Sequence, residues 1–265
     1  MPYNYDFHWR EKAKLPEDPN VAQKAKIFLE IIPDECVTIA DIGCGNGAIT
    51  NVLAEKLNVV GIDFSRVALK CLSTKASPIV GSADQLPIRD KSADVVLSSE
   101  LLEHLTNELF LKAVSEIKRT SKRYVLISVP NNEKLRRRYT KCSFCGSEFH
   151  IYGHLRSFSL KTLAGFFDEY SVKFFTVCGA LEEKPFNWIY FMKNKLANSY
   201  FFVNTVSIMC PNCGKILVFP LERNLLQKAM SFSLTKLQLT LNLLLNRKPE
   251  PDWLVVLFEK KTRTC

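Results

Sequence analysis

The stretch from Val37 to Thr50, VTIADIGCGNGAIT, constrains this chain more than any other. It is an apolar β-branched run, then an acid, then glycines at positions 43, 45 and 47, then a helical pattern. Glycines at such spacing let a strand turn tightly and let a flat ligand approach the main chain. The following helix aims its first amide groups into that turn. The unit predicts a nucleotide-type cofactor site at the carboxyl end of the first strand of a parallel sheet. A tight strand-to-helix turn with no ligand is the plainer alternative.

Charge separates the candidate cofactors. Gly43, Gly45 and Ala48 also satisfy the dinucleotide pattern G-x-G-x-x-A. A pyrophosphate on this turn would meet Asp41, and like charges that close repel. S-adenosylmethionine has no phosphate and carries an ammonium and a sulfonium, so the same carboxylate attracts it. Further acids follow in order. Asn58–Ser65 (NVVGIDFS) reads as a second strand ending at Asp63, a residue placed to accept from both ribose hydroxyls. PIVGSADQLP gives a third strand and then Asp84, placed to accept from an adenine amino group, and SADVVLSSELLEHL gives a fourth that opens at Ser99 and Glu100. Singly, each acid is an ordinary turn or capping residue. In series between alternating strands and helices they outline one adenosine site.

With these residues in hand, the chain resembles the class I S-adenosylmethionine-dependent methyltransferases of the type 11 kind, the broad group that includes quinone-biosynthesis enzymes. The resemblance rests on Asp41-Ile42-Gly43-Cys44-Gly45-Asn46-Gly47, Val60-Gly61-Ile62-Asp63, Ala83-Asp84-Gln85-Leu86-Pro87 and the block through Glu103-His104. It covers roughly residues 35–180 and resumes at the last strand. The resemblance implies cofactor contacts at Asp41, Gly43, Cys44, Gly45, Gly47, Asp63, Phe64, Ala83, Asp84 and Ser99. Asp63 would take the ribose, Asp84 the adenine amino group, and Asp41 with the glycine turn the methionine end.

The rest of the pattern predicts an α/β fold: a Rossmann-like, doubly wound, seven-stranded sheet, mostly parallel, with helices on both faces. NELFLKAVSEIKRT is an amphipathic helix with an acidic start and a basic end, RYVLISVP a fifth strand, SLKTLAGFFDEY a helix capped by Ser159, and SVKFFTVCGA a sixth strand. DWLVVLFEKK is the last strand, which the resemblance places antiparallel between the fifth and sixth. The expected organisation is an N-terminal segment (1–34), a cofactor domain (35–180 and 252–265) and two insertions (131–155 and 181–251).

Each insertion carries a C-x-x-C followed by glycine: Cys142/Cys145 with Gly146, and Cys210/Cys213 with Gly214. Two matched knuckles predict one four-cysteine structural zinc site, which leaves no open coordination position for catalysis. A redox dithiol is the alternative, but no thioredoxin-like context surrounds either pair. Cys36, Cys44, Cys71, Cys178 and Cys265 have no such pairing and read as filler or core thiols. Because both insertions follow strands that end on the cofactor edge, the zinc is expected to staple a substrate lid. His150 and His154 are candidates to replace a zinc cysteine, to face the substrate, or to make ordinary hydrogen bonds. His104 and His154 are the candidate catalytic bases.

Composition narrows the partners. The N-terminus has no apolar leader, nine cysteines without one suggest reduced thiols, and the expected compartment is cytoplasmic. No [DN]-P-P-[FYW] follows the fourth strand, which disfavours adenine-amino methylation of nucleic acid. The net charge of +9 and the run Lys134–Lys141 favour an anionic acceptor at the substrate mouth. FNWIYFMKNKLANSYFFV and LLQKAMSFSLTKLQLTLNLLLNRK are unusually apolar without forming a clean membrane span, so no transmembrane segment is expected. Core-packing helices or a peripheral, lipid-facing surface both account for them. The primary expectation is therefore a methyltransferase acting on a small-molecule, glycan or lipid-linked acceptor. Its alternatives are an RNA-modifying methyltransferase that grips phosphate with the basic run, and a non-catalytic nucleotide-binding zinc module.

Overall fold

Near-continuous apolar runs around Ile39, Val59, Val95, Val125 and Val255 place the central strands, which are buried on both faces of the sheet, whereas the edge strands are largely exposed. A computed structural model of the chain describes residues 5–12, 19–183, 186–201, 207–217 and 221–262; Cys265 lies outside them. The elements are α1 (Tyr5–Lys12), α2 (Pro19–Ile31), β1 (Thr38–Ile42), α3 (Thr50–Leu53), β2 (Asn58–Asp63), α4 (Arg66–Leu69), β3 (Ser77–Val80) and β4 (Ala93–Ser99). They continue with α5 (Asn107–Thr120), β5 (Ser121–Pro130), β6 (Tyr139–Lys141), β7 (Glu148–His150), α6 (Leu160–Gly165) and β8 (Tyr170–Glu182). The last three are α7 (Asn187–Ala197), α8 (Leu225–Leu244) and β9 (Glu250–Lys260).

Seven strands form one sheet in the order β3-β2-β1-β4-β5-β9-β8. β1 through β5 pair in parallel. β9 runs antiparallel to β5, from Tyr124 opposite Glu259 to Pro130 opposite Trp253. Ser171 donates to the Glu259 carbonyl, while a Cβ at Gly179 would overlap Asp252, so β8 runs antiparallel to β9 and parallel to the rest. The last strand therefore inserts between the fifth and sixth as expected.

The chain divides into two compact units. The larger holds residues 16–132, 158–180 and 251–265 and contains the sheet. One sheet face, with Ala40, Ile42, Val96 and Ile127, packs on Phe110, Val114 and Ile117 of α5 and on Phe167. The other face, with Ile39, Val95, Leu97 and Leu126, packs on Phe28 of α2 and on Ile32 just after it. α5 begins at the N-cap Thr106 and ends with Lys118 and Arg119, as the helix dipole favours. Ser159 caps α6 through a reciprocal bond with Thr162, and the helix stops at Gly165, short of the expected length.

The helices after the first two strands are single turns, α3 and α4. The glycine turn takes up the residues through Ile49, and Leu57 already closes back onto Leu53 before β2 begins at Asn58. Too little chain remains for a longer helix.

The smaller unit holds residues 1–15, 133–157 and 181–250. It contains α1, the β6–β7 hairpin, α7 packed on α8, and a small core of Ile151, Ile208 and Leu217 around Cys142 and Cys210. Among the described residues no helix is long and apolar enough to cross a membrane.

A buried lysine ties α2 to the carboxyl-terminal end of the sheet. Lys24 is 1% exposed; its Nζ lies 3.0 Å from Glu100 Oε1 and 3.5 Å from the centroid of the Trp253 ring. Ser128 also donates to Glu100, and Glu100 sits at φ +56°, in the left-handed region that disfavours side chains other than glycine and asparagine. The ion pair holds this strained backbone in place. Lys24→Ala is expected to destabilise the fold by about 2 kcal/mol, below the full cost of breaking a buried pair because Glu100 retains Ser128 and some water. A thermal melt of the variant checks this; an unchanged transition would assign the pair no structural role.

Candidate cofactor site and cysteine cluster

The glycine turn hangs from the end of β2. Gly43 N and Cys44 N both donate to the Ile62 carbonyl, at 2.7 and 3.2 Å. Gly43, Gly45 and Gly47 all have positive φ, so any other residue there would strain the turn. A Cβ at Gly43 would also come within 2.9 Å of the Leu101 side chain.

Two buried carboxylates bracket the turn. Asp41, near the end of β1, is 2% exposed and accepts from Thr50 Oγ1 at 2.6 Å. Burial pushes its carboxyl up to about 7; the Thr50 bond opposes the rise and the Asp63 charge adds to it. Asp63, the last residue of β2, is 6% exposed and accepts from Gly45 N at 2.9 Å and Ser65 N at 2.8 Å. Asp63 is thus also a structural clamp on the turn, which the sequence reading did not foresee. Burial also pushes the Cys44 thiol up strongly, so it stays protonated between the two acids.

The remaining expected contacts lie on the carboxyl-terminal side of the strands. Phe64 is 54% exposed directly after Asp63. Ala83 and Asp84 are half-buried, in a turn where Ser82 donates to Asp84. Ser99 Oγ, at the end of β4, is buried without a hydrogen-bond partner among the described residues. A buried hydroxyl in want of a partner, two desolvated carboxylates and a glycine cradle together form a donor and acceptor set that fits a cationic, ribose-bearing ligand. A cavity of about 630 Å³ lies elsewhere, at the amino-terminal ends of the strands, beside Thr38, Asn58 and Ser77. Neither the glycine turn nor its acids line that cavity, so we give it no part in cofactor binding.

His104 ends a 3-10 turn, Leu102–His104, whose Glu103 is fully buried. In the smaller unit, Glu133 gathers both other candidate histidines. Its Oε1 lies 3.2 Å from His150 Nε2 and its Oε2 lies 2.6 Å from His154 Nδ1. Burial alone would raise the Glu133 carboxyl, but the hydrogen bonds from His150 and His154 outweigh it and hold the group well below the usual range. An ionised carboxylate only accepts, so both imidazoles donate to it. His150 Nδ1 in turn accepts from His154 N at 3.2 Å, which leaves that ring neutral, as its burial also favours. Sequence reasoning named both histidines and missed Glu133, which lies far from them in the chain and carries no motif.

The four knuckle cysteines come together without those histidines. Their sulfurs lie within 4.8 Å of one another, with Cys142–Cys213 and Cys145–Cys210 each at 3.7 Å. A tetrahedron of thiolates at zinc–sulfur distances of about 2.3 Å has edges of about 3.8 Å. Both knuckles have the same local form. Cys142 N donates to Ser147 O and Gly146 N to Cys142 O, while Cys210 N donates to Lys215 O and Gly214 N to Cys210 O. Gly146 and Gly214 have φ near +70°, with open space around both, so the backbone turn alone requires glycine. Of the roles open to His150 and His154, replacing a zinc cysteine finds no support: Glu133 bonds to both histidines, and the four cysteines come together without them.

The basic run departs from a solvated, phosphate-gripping face. Arg137 Nη1 lies 2.6 Å from Glu182 Oε2, and Arg138 binds the same carboxylate. Arg138 also lies over the Phe201 ring and Arg136 over the Phe191 ring. These arginines are half-buried and serve the packing of their own unit.

The comparisons agree with this arrangement. Residues 40–127 match the family model for the methyltransferase domain. An uncharacterized protein of Methanocaldococcus jannaschii is 34% identical over 99 residues, which span 37% of this chain and 42% of that protein. A crystal structure of a SAM-dependent methyltransferase from Archaeoglobus fulgidus has a TM-score of 0.54 at 17% identity, covering 97% of this chain and all of the other. A chain in the Haloferax volcanii complex that contains the Trm112 methyltransferase activator gives 0.57 at 17% identity, covering 99% and 100%. A SAM-dependent methyltransferase of Methanosarcina mazei gives 0.51 at 17%, covering 93% and 99%. The strand order is that of the Rossmann-like methyltransferase fold, and residues 40–127, which hold the glycine turn and its acids, are similar to the methyltransferase domain family.

Proposed function

We propose that this chain is a class I S-adenosylmethionine-dependent methyltransferase acting by direct methyl transfer on a small-molecule, glycan or lipid-linked acceptor. The observation that carries the reading is Asp41, a buried carboxyl raised to about 7 beside a glycine turn. Such a group favours a cation and opposes a pyrophosphate. Asp63 would hold the ribose, Asp84 the adenine amino group, and Ser99 a polar edge of the ligand. The cofactor, when bound, supplies an electrophilic methyl group on sulfonium. The chain's part is to orient that group and the acceptor in line and to keep water out.

An acceptor hydroxyl needs its proton removed. His154, whose ring Glu133 orients through Nδ1, is one candidate for this. His104 is the other candidate. We assign Cys142, Cys145, Cys210 and Cys213 to one structural zinc ion, which closes four ligand positions. Residues 131–155 and 181–251, which follow β5 and β8, are assigned to acceptor recognition because those strands end on the sheet edge that carries the glycine turn. Arg136, Arg137 and Arg138 are engaged within their own unit, which weighs against their use as a grip on RNA phosphate.

A pH titration tests the role of Asp41. Below about 7 its carboxyl is protonated and neutral, so a bound cation must displace the proton. S-adenosylmethionine affinity is expected to fall by up to about tenfold per unit as pH drops below that value, since one proton is exchanged on binding. Asp41→Asn is expected to bind weakly with a flat profile. A wild-type affinity independent of pH from mildly acid to neutral would remove Asp41 from the methionine end.

A further inference from the structure

The longest helix of the smaller unit is turned inside out. On α8, Leu225, Phe232, Leu239 and Leu243 recur along one stripe, yet they are 84%, 61%, 46% and 82% exposed. The opposite face mixes half-buried Met230, Leu234 and Leu241 with polar side chains. Gln238 is 4% exposed and accepts from Phe186 N, and Ser231 donates to Ser199 Oγ. A helix packed for a soluble core places these residues the other way round. α7, which packs on α8, also exposes Trp188 (47%) and Phe191 (45%).

Charge indicates what covers this stripe. Between Glu222 and Glu250 the chain has no acid, while Lys228, Lys236, Arg247 and Lys248 fall among the leucines. A second copy of α8 would bring lysine against lysine, with no carboxylate on either helix to answer it. A protein partner's helix would need a strip of acids matched to this spacing. An anionic lipid surface needs no such match. It accepts the apolar side chains at the acyl boundary and the ammonium groups at the phosphates. Twenty residues give a helix of about 30 Å, and α8 is too poor in continuous hydrophobicity to span, so it would lie in the plane of the interface.

We propose that the exposed face of α8, with the outward aromatics of α7, docks on an anionic phospholipid bilayer. This inference rests on the exposed side chains and their charge, and it stands whether or not the chain is a methyltransferase.

The test is co-sedimentation of the full-length protein with vesicles of phosphatidylcholine alone and of phosphatidylcholine with phosphatidylglycerol. The protein is expected to pellet with the anionic vesicles, far less with the neutral ones, and to be released in part by high salt. Phe232→Glu with Leu239→Glu is expected to cut the bound fraction by an order of magnitude or more, with no loss of thermal stability because both side chains point outward. Lys228→Glu with Lys236→Glu is expected to abolish the preference for anionic lipid. Two results overturn the proposal. One is wild-type protein that stays in the supernatant with both vesicle types. The other is a wild-type dimer in solution that Phe232→Glu converts to monomer, which would make a second copy the occupant of the stripe.

Discussion

Asp63→Ala is expected to weaken S-adenosylmethionine binding by about 2–4 kcal/mol, roughly 30- to 1000-fold, by removing two charge-assisted hydrogen bonds to the ribose. The structure adds a second effect. Asp63 also holds Gly45 N and Ser65 N, so the alanine variant leaves two main-chain amides at the end of β2 without their acceptor and loosens the turn. Asp63→Asn separates the two contributions. It keeps one side-chain oxygen for the turn but loses the charge and the bidentate geometry, so its affinity is expected to fall between wild type and alanine. Isothermal titration of the three proteins with the cofactor reads this order directly. Equal affinities would remove Asp63 from the adenosine site.

Cys213→Ser is expected to have the largest structural effect of any single change in the smaller unit. Structural zinc sites contribute on the order of 10–16 kcal/mol of apparent binding free energy at neutral pH, so removing one of four ligands should release the ion. The two knuckles are 65 residues apart from Cys145 to Cys210, and among the described residues the buried core around them consists of Ile151, Ile208 and Leu217 with a few partly buried neighbours. Without the metal that core is too small to hold both hairpins. Hydrogen exchange is expected to show lost protection at β6, β7 and the Met209–Ile216 bridge, with the sheet strands unchanged, because their core consists of other residues. Elemental analysis supplies the other half: close to one zinc per wild-type chain, and none in the variant. Wild-type protein purified without chelator and free of metal would contradict the assignment.

The sheet was legible in the sequence because its signals are local. Apolar β-branched runs, the glycine turn after Ile42 and the dipole-matched ends of α5 each lie within a few residues of what they determine. The cysteine cluster was legible for a related reason, since each knuckle is a local turn repeated. What stayed hidden depends on long-range packing. Lys24 lies in a segment that carries no motif, and only the fold brings it to Glu100 and Trp253. Glu133 reads as a loop acid and becomes the anchor of two histidines. The arginines at 137 and 138 read as a phosphate grip until Glu182, at the end of β8, takes both. That α3 and α4 are single turns also stayed hidden, because strand and helix alternation does not reveal how much chain the preceding turn consumes.

Asp41 and the glycine turn carry the central claim, and binding calorimetry on the metal-replete wild-type protein tests it most directly. The account predicts saturable, one-to-one binding of S-adenosylmethionine near neutral pH and no measurable binding of a nicotinamide dinucleotide, whose pyrophosphate would meet Asp41. Binding of the dinucleotide in place of S-adenosylmethionine, or of neither, would contradict it.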